Sequence, residues 1–324
     1  LNVEQAIKSI EEELKAVEAE MAKNLLSEVI MIPTVSRYLI SSGGKRFRPV
    51  LLLLSAHLCG YHGPRAIPLA STIEFIHTAT LLHDDVVDRA FVRRGMASAN
   101  SVWGEGASVL VGDFLFTKSF ALIVADGNLR ILEVISGATT RMAEGEVMQL
   151  VKLGDPAITE KDYYYVITNK TAVLISAACQ VGGILGNAFL EQEKALADFG
   201  LNLGVAFQLM DDTLDYTSAT ATLGKEIGKD LNEGKITLPL IQALKACSPG
   251  ERDRLKQIIQ DRDRKEADLS YVMQVVKECG GIDYAVQCAE DFVAKARTSL
   301  TPFPSSREKE ALLALADYAI RRKW

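Results

Sequence analysis

Apolar positions recur along this chain with a period near 3.6 almost from end to end. In residues 3–22 (VEQAIKSIEEELKAVEAEMA), Val3, Ile7, Ile10, Leu14 and Val17 fall on one stripe of a helix. The same pattern predicts helices over 46–59, 66–90, 101–126, 128–151, 160–185, 191–217, 236–247, 251–263, 267–279, 281–300 and 307–323. Between them stand SSGGKRFRP, CGYHGPR, VRRG, ADGN, LGDPAIT, TATLGKEIGKDLNEGK, CSPG, CGG and TPFPSS. These are rich in the Gly, Pro, Ser and Asn that interrupt helices. Strand-length alternation is essentially absent, no stretch reads as an interdomain linker, and no repeat period recurs. The expectation is an all-α chain forming a single domain over residues 1–324.

Composition narrows the class. With 324 residues, 48% of them hydrophobic, the chain can bury a large core. The cysteines (Cys59, Cys179, Cys247, Cys279, Cys288) are scattered without a CxxC pair, which argues against zinc and a disulfide framework and for a reduced, cytoplasmic setting. No signal-peptide pattern opens the sequence. Apolar runs such as VLLLL at 50–54 fall far short of the roughly 20 residues that span a bilayer. A net charge of −6 speaks against nucleic acid as a partner.

The chemistry begins with a repeated word. LLHDDVVD at 81–88 and FQLMDDTLD at 207–215 both write Asp-Asp-x-x-Asp inside apolar sequence. Residues four apart share a helix face, so Asp84 with Asp88, and Asp211 with Asp215, each present paired carboxylates. Asp85 and Asp212 sit about 100° round the helix from the first Asp of each motif. Removing carboxylates from water is costly unless cations neutralise them. Hard oxygen donors without His or Cys suit Mg²⁺, which takes one or two carboxylates with substrate phosphates and water. One such motif alone reads equally as an exposed acidic face; two in apolar context favour a metal site.

Mg²⁺ bound this way implies a phosphorylated substrate, and cations suited to it are present. GGKRFRP at 43–49 places Lys45, Arg46 and Arg48 at a helix start, where N–H groups and the helix dipole also favour anions. Arg93 and Arg94 follow the first motif; Lys170, Lys225 and Lys235 lie in NKT, LGKEIG and NEGKITLP. Each alone reads as a solvated surface residue, but together they match two diphosphates. His77, on the same helix as Asp84, reads either as a donor to a phosphate or as a satisfied core histidine.

GGKRFRP, LLHDDVVD with the RRG after it, NKTA, FQLMDDTLD, GKDLNEGK and TLP, in that order, resemble the trans-type prenyl diphosphate synthases, the family that includes farnesyl diphosphate synthase. The match runs from about residue 40 to 240. EFIHTATLLHDDVVD and GASVLVGDF are most similar to long-chain bacterial members, which make quinone side chains such as octaprenyl diphosphate. The resemblance implies a prenyltransferase: an all-α bundle around a central cavity, usually a homodimer, acting on isopentenyl diphosphate and an allylic diphosphate. No transmembrane segment is expected, only a peripheral membrane contact for product release. It further implies that Asp84, Asp88 and Asp211 ligate three Mg²⁺ ions, with Asp85, Asp212 and Asp215 assisting. Arg93, Lys170, Lys225 and Lys235 would hold the allylic diphosphate; Lys45, Arg48, His77 and Arg94 would hold isopentenyl diphosphate. Thr171 and Gln208 would stand near the reacting carbon.

Two expectations follow for the apolar parts. The helix at 102–123 is apolar on more than one face, as a helix shared with a second copy would be, although a central core helix reads the same way. The growing product needs a dry tunnel, and Ile76, Ala79 and Thr80, one and two turns before Asp84, are its expected wall. Ala79 and Thr80 are small, so the tunnel is expected to pass Ile76 and close near Phe116 or Phe120, which favours an octaprenyl product over a farnesyl or geranylgeranyl one. The rival readings are a shorter-chain synthase, a terpene cyclase, which needs no isopentenyl diphosphate site, and a non-catalytic helical subunit.

Overall fold

A computed structural model describes residues 2–41, 46–93, 95–217, 228–261 and 263–321. Lys45, Arg94 and Lys225 lie outside the described residues. The protein is all-α; among the described residues the strands are confined to one antiparallel hairpin, Val92–Arg93 with Met96–Ala97.

Most helices fall where the periodicity puts them, and the differences have local causes. The stretch 101–126 divides into Ala99–Trp103 and Glu105–Asp126, because Gly104 adopts φ 84° between them. The N-terminal stretch divides into Val3–Lys8 and Glu11–Asn24. The predicted helix 160–185 is Glu160–Ile167, a π-helical turn Thr168–Ala172, and Val173–Leu185. The predicted 66–90 ends at Val87, with Asp88 as C-cap. A helix at Met31–Ser41 and a short one at Lys229–Asn232 have no counterpart in the sequence prediction; both lie beside Gly-rich loops that obscure a short periodic signal.

The Cα positions group into two compact units. The first holds residues 1–139, 174–200 and 300–315. Its most extensive packing is between Ala66–Val87 and Glu105–Asp126, where the Ser108 hydroxyl donates to the Leu82 carbonyl at 3.0 Å. Val50 to Leu54, in the helix Phe47–Leu58, are buried on every side, which is why VLLLL carries no polar stripe. Glu105–Asp126 is long and apolar enough to cross a membrane by composition, a test that a core helix also passes.

The second unit holds residues 140–173, 201–299 and 316–324. Its core sets Leu238–Ala246 against Glu266–Glu278 and Gly281–Ser299 through Leu240, Ile241, Val272, Val276, Ala285 and Ala289. Pro239 opens the first of these helices, where a missing N–H costs no hydrogen bond.

Candidate active site

In the second unit, the chain is prepared for Lys170 by a well-capped helix. Thr159 and Asp162 exchange reciprocal hydrogen bonds at the start of Glu160–Ile167, satisfying N–H groups a helix end leaves open. The π turn follows, a wide turn of the kind frequent at functional sites. Two glycines let neighbouring helices close on it. A Cβ at Gly145 would lie 2.6 Å from the Lys170 backbone nitrogen, and one at Gly204 would lie 2.6 Å from the Ala172 Cα. Asn169 is buried, accepting from Arg141 Nε at 2.8 Å and donating to the Tyr165 carbonyl at 2.9 Å. This anchoring carries Lys170 and Thr171 to a cavity of about 140 Å³ also lined by Gln208, Asp212, Asp230 and Lys235.

The polar side chains there are connected. The Thr171 hydroxyl donates to Gln208 Oε1 at 3.0 Å, and Gln208 Nε2 donates to Asp212 Oδ1 at 2.7 Å. The Tyr163 hydroxyl donates to Asp212 Oδ2 at 2.6 Å. Lys170 is ion-paired with Glu146, and Lys235 with Glu233 at 2.7 Å. Asp215 accepts the N–H groups of Lys229 and Asp230, at 3.2 and 3.1 Å, at the start of the helix Lys229–Asn232. Asp211 is half-buried beside Asp212.

Burial dominates the acidity of these groups. It pushes the Asp212 carboxyl up to about 7, with Asp211 adding to the rise while Tyr163, Gln208 and Lys235 oppose it. Burial also raises Asp215, and it raises Asp230 well above the usual carboxylate range, where Asp212 and Asp215 push the same way. Crowded, desolvated carboxylates of this kind are the setting a divalent cation relieves. Among the described residues no three His, Cys, Asp or Glu side chains gather closely enough to hold an ion by themselves. Carboxylate oxygens without His or Cys are the donors that fit Mg²⁺, which takes one or two of them together with water and phosphate oxygens.

In the first unit, Asp84 and Asp88 occupy the last turn and C-cap of Ala66–Val87, both half-buried. Asp85 is fully buried and takes Arg93 Nε and Nη2 on one oxygen. The hairpin supplies this arginine, and Asn100 donates to the Asp85 carbonyl at 3.0 Å. Arg48 stands half-buried in the first turn of Phe47–Leu58. Arg46 departs from the expectation that all the cations of this turn face phosphate. It has φ 48°, bonds the Ile40 carbonyl at 2.8 Å and pairs with buried Glu74 at 3.2 Å, tying the helix start to the core. His77 is half-buried, and its carbonyl accepts the Thr80 hydroxyl at 2.8 Å. Ile76 and Ala79 have no exposed surface; the Phe116 and Phe120 rings lie 5.3 Å apart, half-buried, on Glu105–Asp126.

Sequence reasoning did not find Glu146 or Tyr163. Tyr163 meets Asp212 across 49 residues, and neither residue sits in a spacing that announces the other.

The fold and these side chains define an all-α prenyltransferase. Two solved structures match it along nearly the whole length. A polyprenyl synthase from Caulobacter crescentus, in complex with calcium and isoprenyl diphosphate, has TM-score 0.95 and 40% identity, covering 99% of this chain and 98% of that one. A decaprenyl diphosphate synthase from Rhodobacter capsulatus has TM-score 0.94 and 43% identity, covering 98% of each. Octaprenyl diphosphate synthase of Escherichia coli is 43% identical over 322 residues, 99% of both chains. Residues 30–276 match the polyprenyl synthetase family model, and the chain belongs to that family.

Proposed function

We propose that the protein, acting as one catalytic domain, condenses isopentenyl diphosphate head-to-tail onto an allylic diphosphate, with farnesyl diphosphate as starter. It repeats the step to an all-trans octaprenyl diphosphate destined for a quinone side chain. The observation that carries this reading is the hydrogen-bonded series Thr171–Gln208–Asp212 facing one cavity with Lys170 and Lys235. Diphosphate departs slowly until its charge is neutralised, and Mg²⁺, three ions by family resemblance, would supply that neutralisation when held by Asp84, Asp88, Asp211 and Asp215.

The remaining work falls to the chain. Lys170 and Lys235, with Lys225 and Arg93, bind the allylic diphosphate; Arg48 and His77, with Lys45 and Arg94, bind isopentenyl diphosphate. As the allylic C–O bond breaks, Thr171 and Gln208 turn oxygen lone pairs towards the cationic carbon. Val166, Ile167 and Ile236 give the cavity an apolar wall that excludes water, leaving the isopentenyl double bond as nucleophile. The new C–C bond forms, and the departing diphosphate takes the proton released from the isopentenyl unit.

Octaprenyl length rests on the E. coli relative, and the equally similar decaprenyl synthase makes product length the finest part of the reading. We place the protein in the cytoplasm as a homodimer joined along Glu105–Asp126, which leaves Leu110 and Val124 exposed, with a peripheral membrane contact for release of product.

The test is purified protein with Mg²⁺, labelled isopentenyl diphosphate and farnesyl diphosphate, followed by dephosphorylation and chromatography. Octaprenol is expected. Absence of incorporated label would favour the non-catalytic subunit; allylic diphosphate consumed alone to hydrocarbon would favour a cyclase. Either outcome overturns the proposal.

A further inference from the structure

Tyr163 is buried, lines the cavity, and stands outside every motif that carries the family resemblance. Its hydroxyl donates to Asp212 Oδ2 while Gln208 Nε2 donates to Oδ1, so each carboxylate oxygen holds one neutral donor. That arrangement has a direction. With Tyr163 on Oδ2, Oδ1 is the oxygen left for Gln208, and the amide turns its NH₂ group to it. The amide oxygen is then turned to Thr171, whose hydroxyl donates to it. Lone pairs of both oxygens remain for the cavity, where the reaction places positive charge.

We infer that Tyr163 is a positioning residue for the condensation: through Asp212 it fixes the orientation of the Gln208 amide, so that oxygen rather than NH₂ meets the developing cation. The inference rests on the proposed function, in which Thr171 and Gln208 face the reacting carbon. Without the phenol, Oδ2 loses its anchor, the Asp212 carboxylate can rotate out of reach of Gln208 Nε2, and the amide loses the partner that sets its orientation. A reversed amide would direct N–H groups at a cation. The loss therefore falls on the chemical step and spares the binding of either diphosphate.

The experiment is a double-mutant cycle on the full-length protein with Mg²⁺. Parent, Tyr163→Phe, Gln208→Leu and the double variant are compared by kcat and by KM for each substrate, with thermal unfolding followed in parallel. Tyr163→Phe is expected to lower kcat about tenfold to a hundredfold, the scale of one charge-assisted hydrogen bond, with both KM values within about twofold. In the Gln208→Leu background the same change is expected to have almost no further effect on kcat, because the amide it orients is gone. A buried structural tyrosine would instead lower kcat equally in both backgrounds, and that result overturns the inference. So does a Tyr163→Phe enzyme with parental kcat.

If Tyr163→Phe does not fold, 3-fluorotyrosine at 163 keeps the shape and strengthens the phenol as a donor. Its effect on kcat is expected in the parent and absent from Gln208→Leu; an equal effect in both, or none in either, overturns the inference. The parental control separates this from the function itself, since a parent that forms no polyprenyl product would refute the proposed reaction.

Discussion

Arg93 Nε and Nη2 both lie 2.6 Å from Oδ1 of Asp85, a carboxylate with no exposed surface. The middle Asp of the first acidic motif is therefore joined to the hairpin that follows it, and the hairpin is held to the helix end by an ion pair. Removing one partner of a buried pair costs more than the pair contributes, because the remaining charge stays desolvated.

Arg93→Ala should accordingly destabilise the fold by roughly 1.5–3 kcal/mol, besides weakening the allylic diphosphate site. Urea unfolding checks the first effect. Asp85→Asn in the same chain should restore part of the loss, and an unfolding midpoint unchanged by Arg93→Ala would contradict the structural role.

Replacing Asp84 or Asp211 with Ala should lower turnover by orders of magnitude while thermal unfolding stays near that of the parent. Both carboxylates are half-buried, and in the proposed reaction they hold the cations, so the loss is expected in turnover rather than in stability. EDTA should abolish activity, and added Mg²⁺ should restore it. Full turnover in EDTA would exclude the metal-assisted step.

The two diphosphates should separate by mutation. Arg48→Ala is expected to raise KM for isopentenyl diphosphate about tenfold to a hundredfold, with a smaller change for the allylic substrate. Lys170→Ala should act mainly on kcat, since in the proposed reaction this ammonium serves the leaving diphosphate. Steady-state kinetics with each substrate varied in turn distinguishes them, and equal effects of both variants on both substrates would contradict the assignment.

Ala79 is fully buried on the helix bearing Asp84, and it is one of the small positions expected to line the path of the growing apolar chain. Ala79→Tyr should shift products to farnesyl or geranylgeranyl length while condensation continues. Chromatography of the dephosphorylated products reads this directly; an active variant that still makes the parental product would mean the tunnel runs elsewhere.

Analytical ultracentrifugation at micromolar concentration should give a dimer. Val109, Leu110 and Val124 are exposed on Glu105–Asp126, although the helix packs extensively along Ala66–Val87. Leu110→Glu should shift the distribution towards monomer. A monomeric parent would remove the assembly from the proposal.

The helices and the two acidic motifs were legible without coordinates, because helical periodicity and the four-residue spacing of Asp84 with Asp88, and of Asp211 with Asp215, are local properties of the chain. Order and identity of the motifs carried the family. The contacts that orient the site were not legible. The π turn depends on Gly145 and Gly204 admitting neighbouring helices close to Lys170 and Ala172. Arg46 belongs to a cationic stretch by sequence, yet it turns to Glu74 because the αL backbone at the helix start sends it inward. Tyr163 reads as one of three consecutive tyrosines, and only the path of the backbone selects it for Asp212. Residues a few positions apart are brought together by the helix itself. Residues dozens of positions apart meet only where burial of the core fixes both helices, and there the tertiary structure decided which oxygen faces which donor.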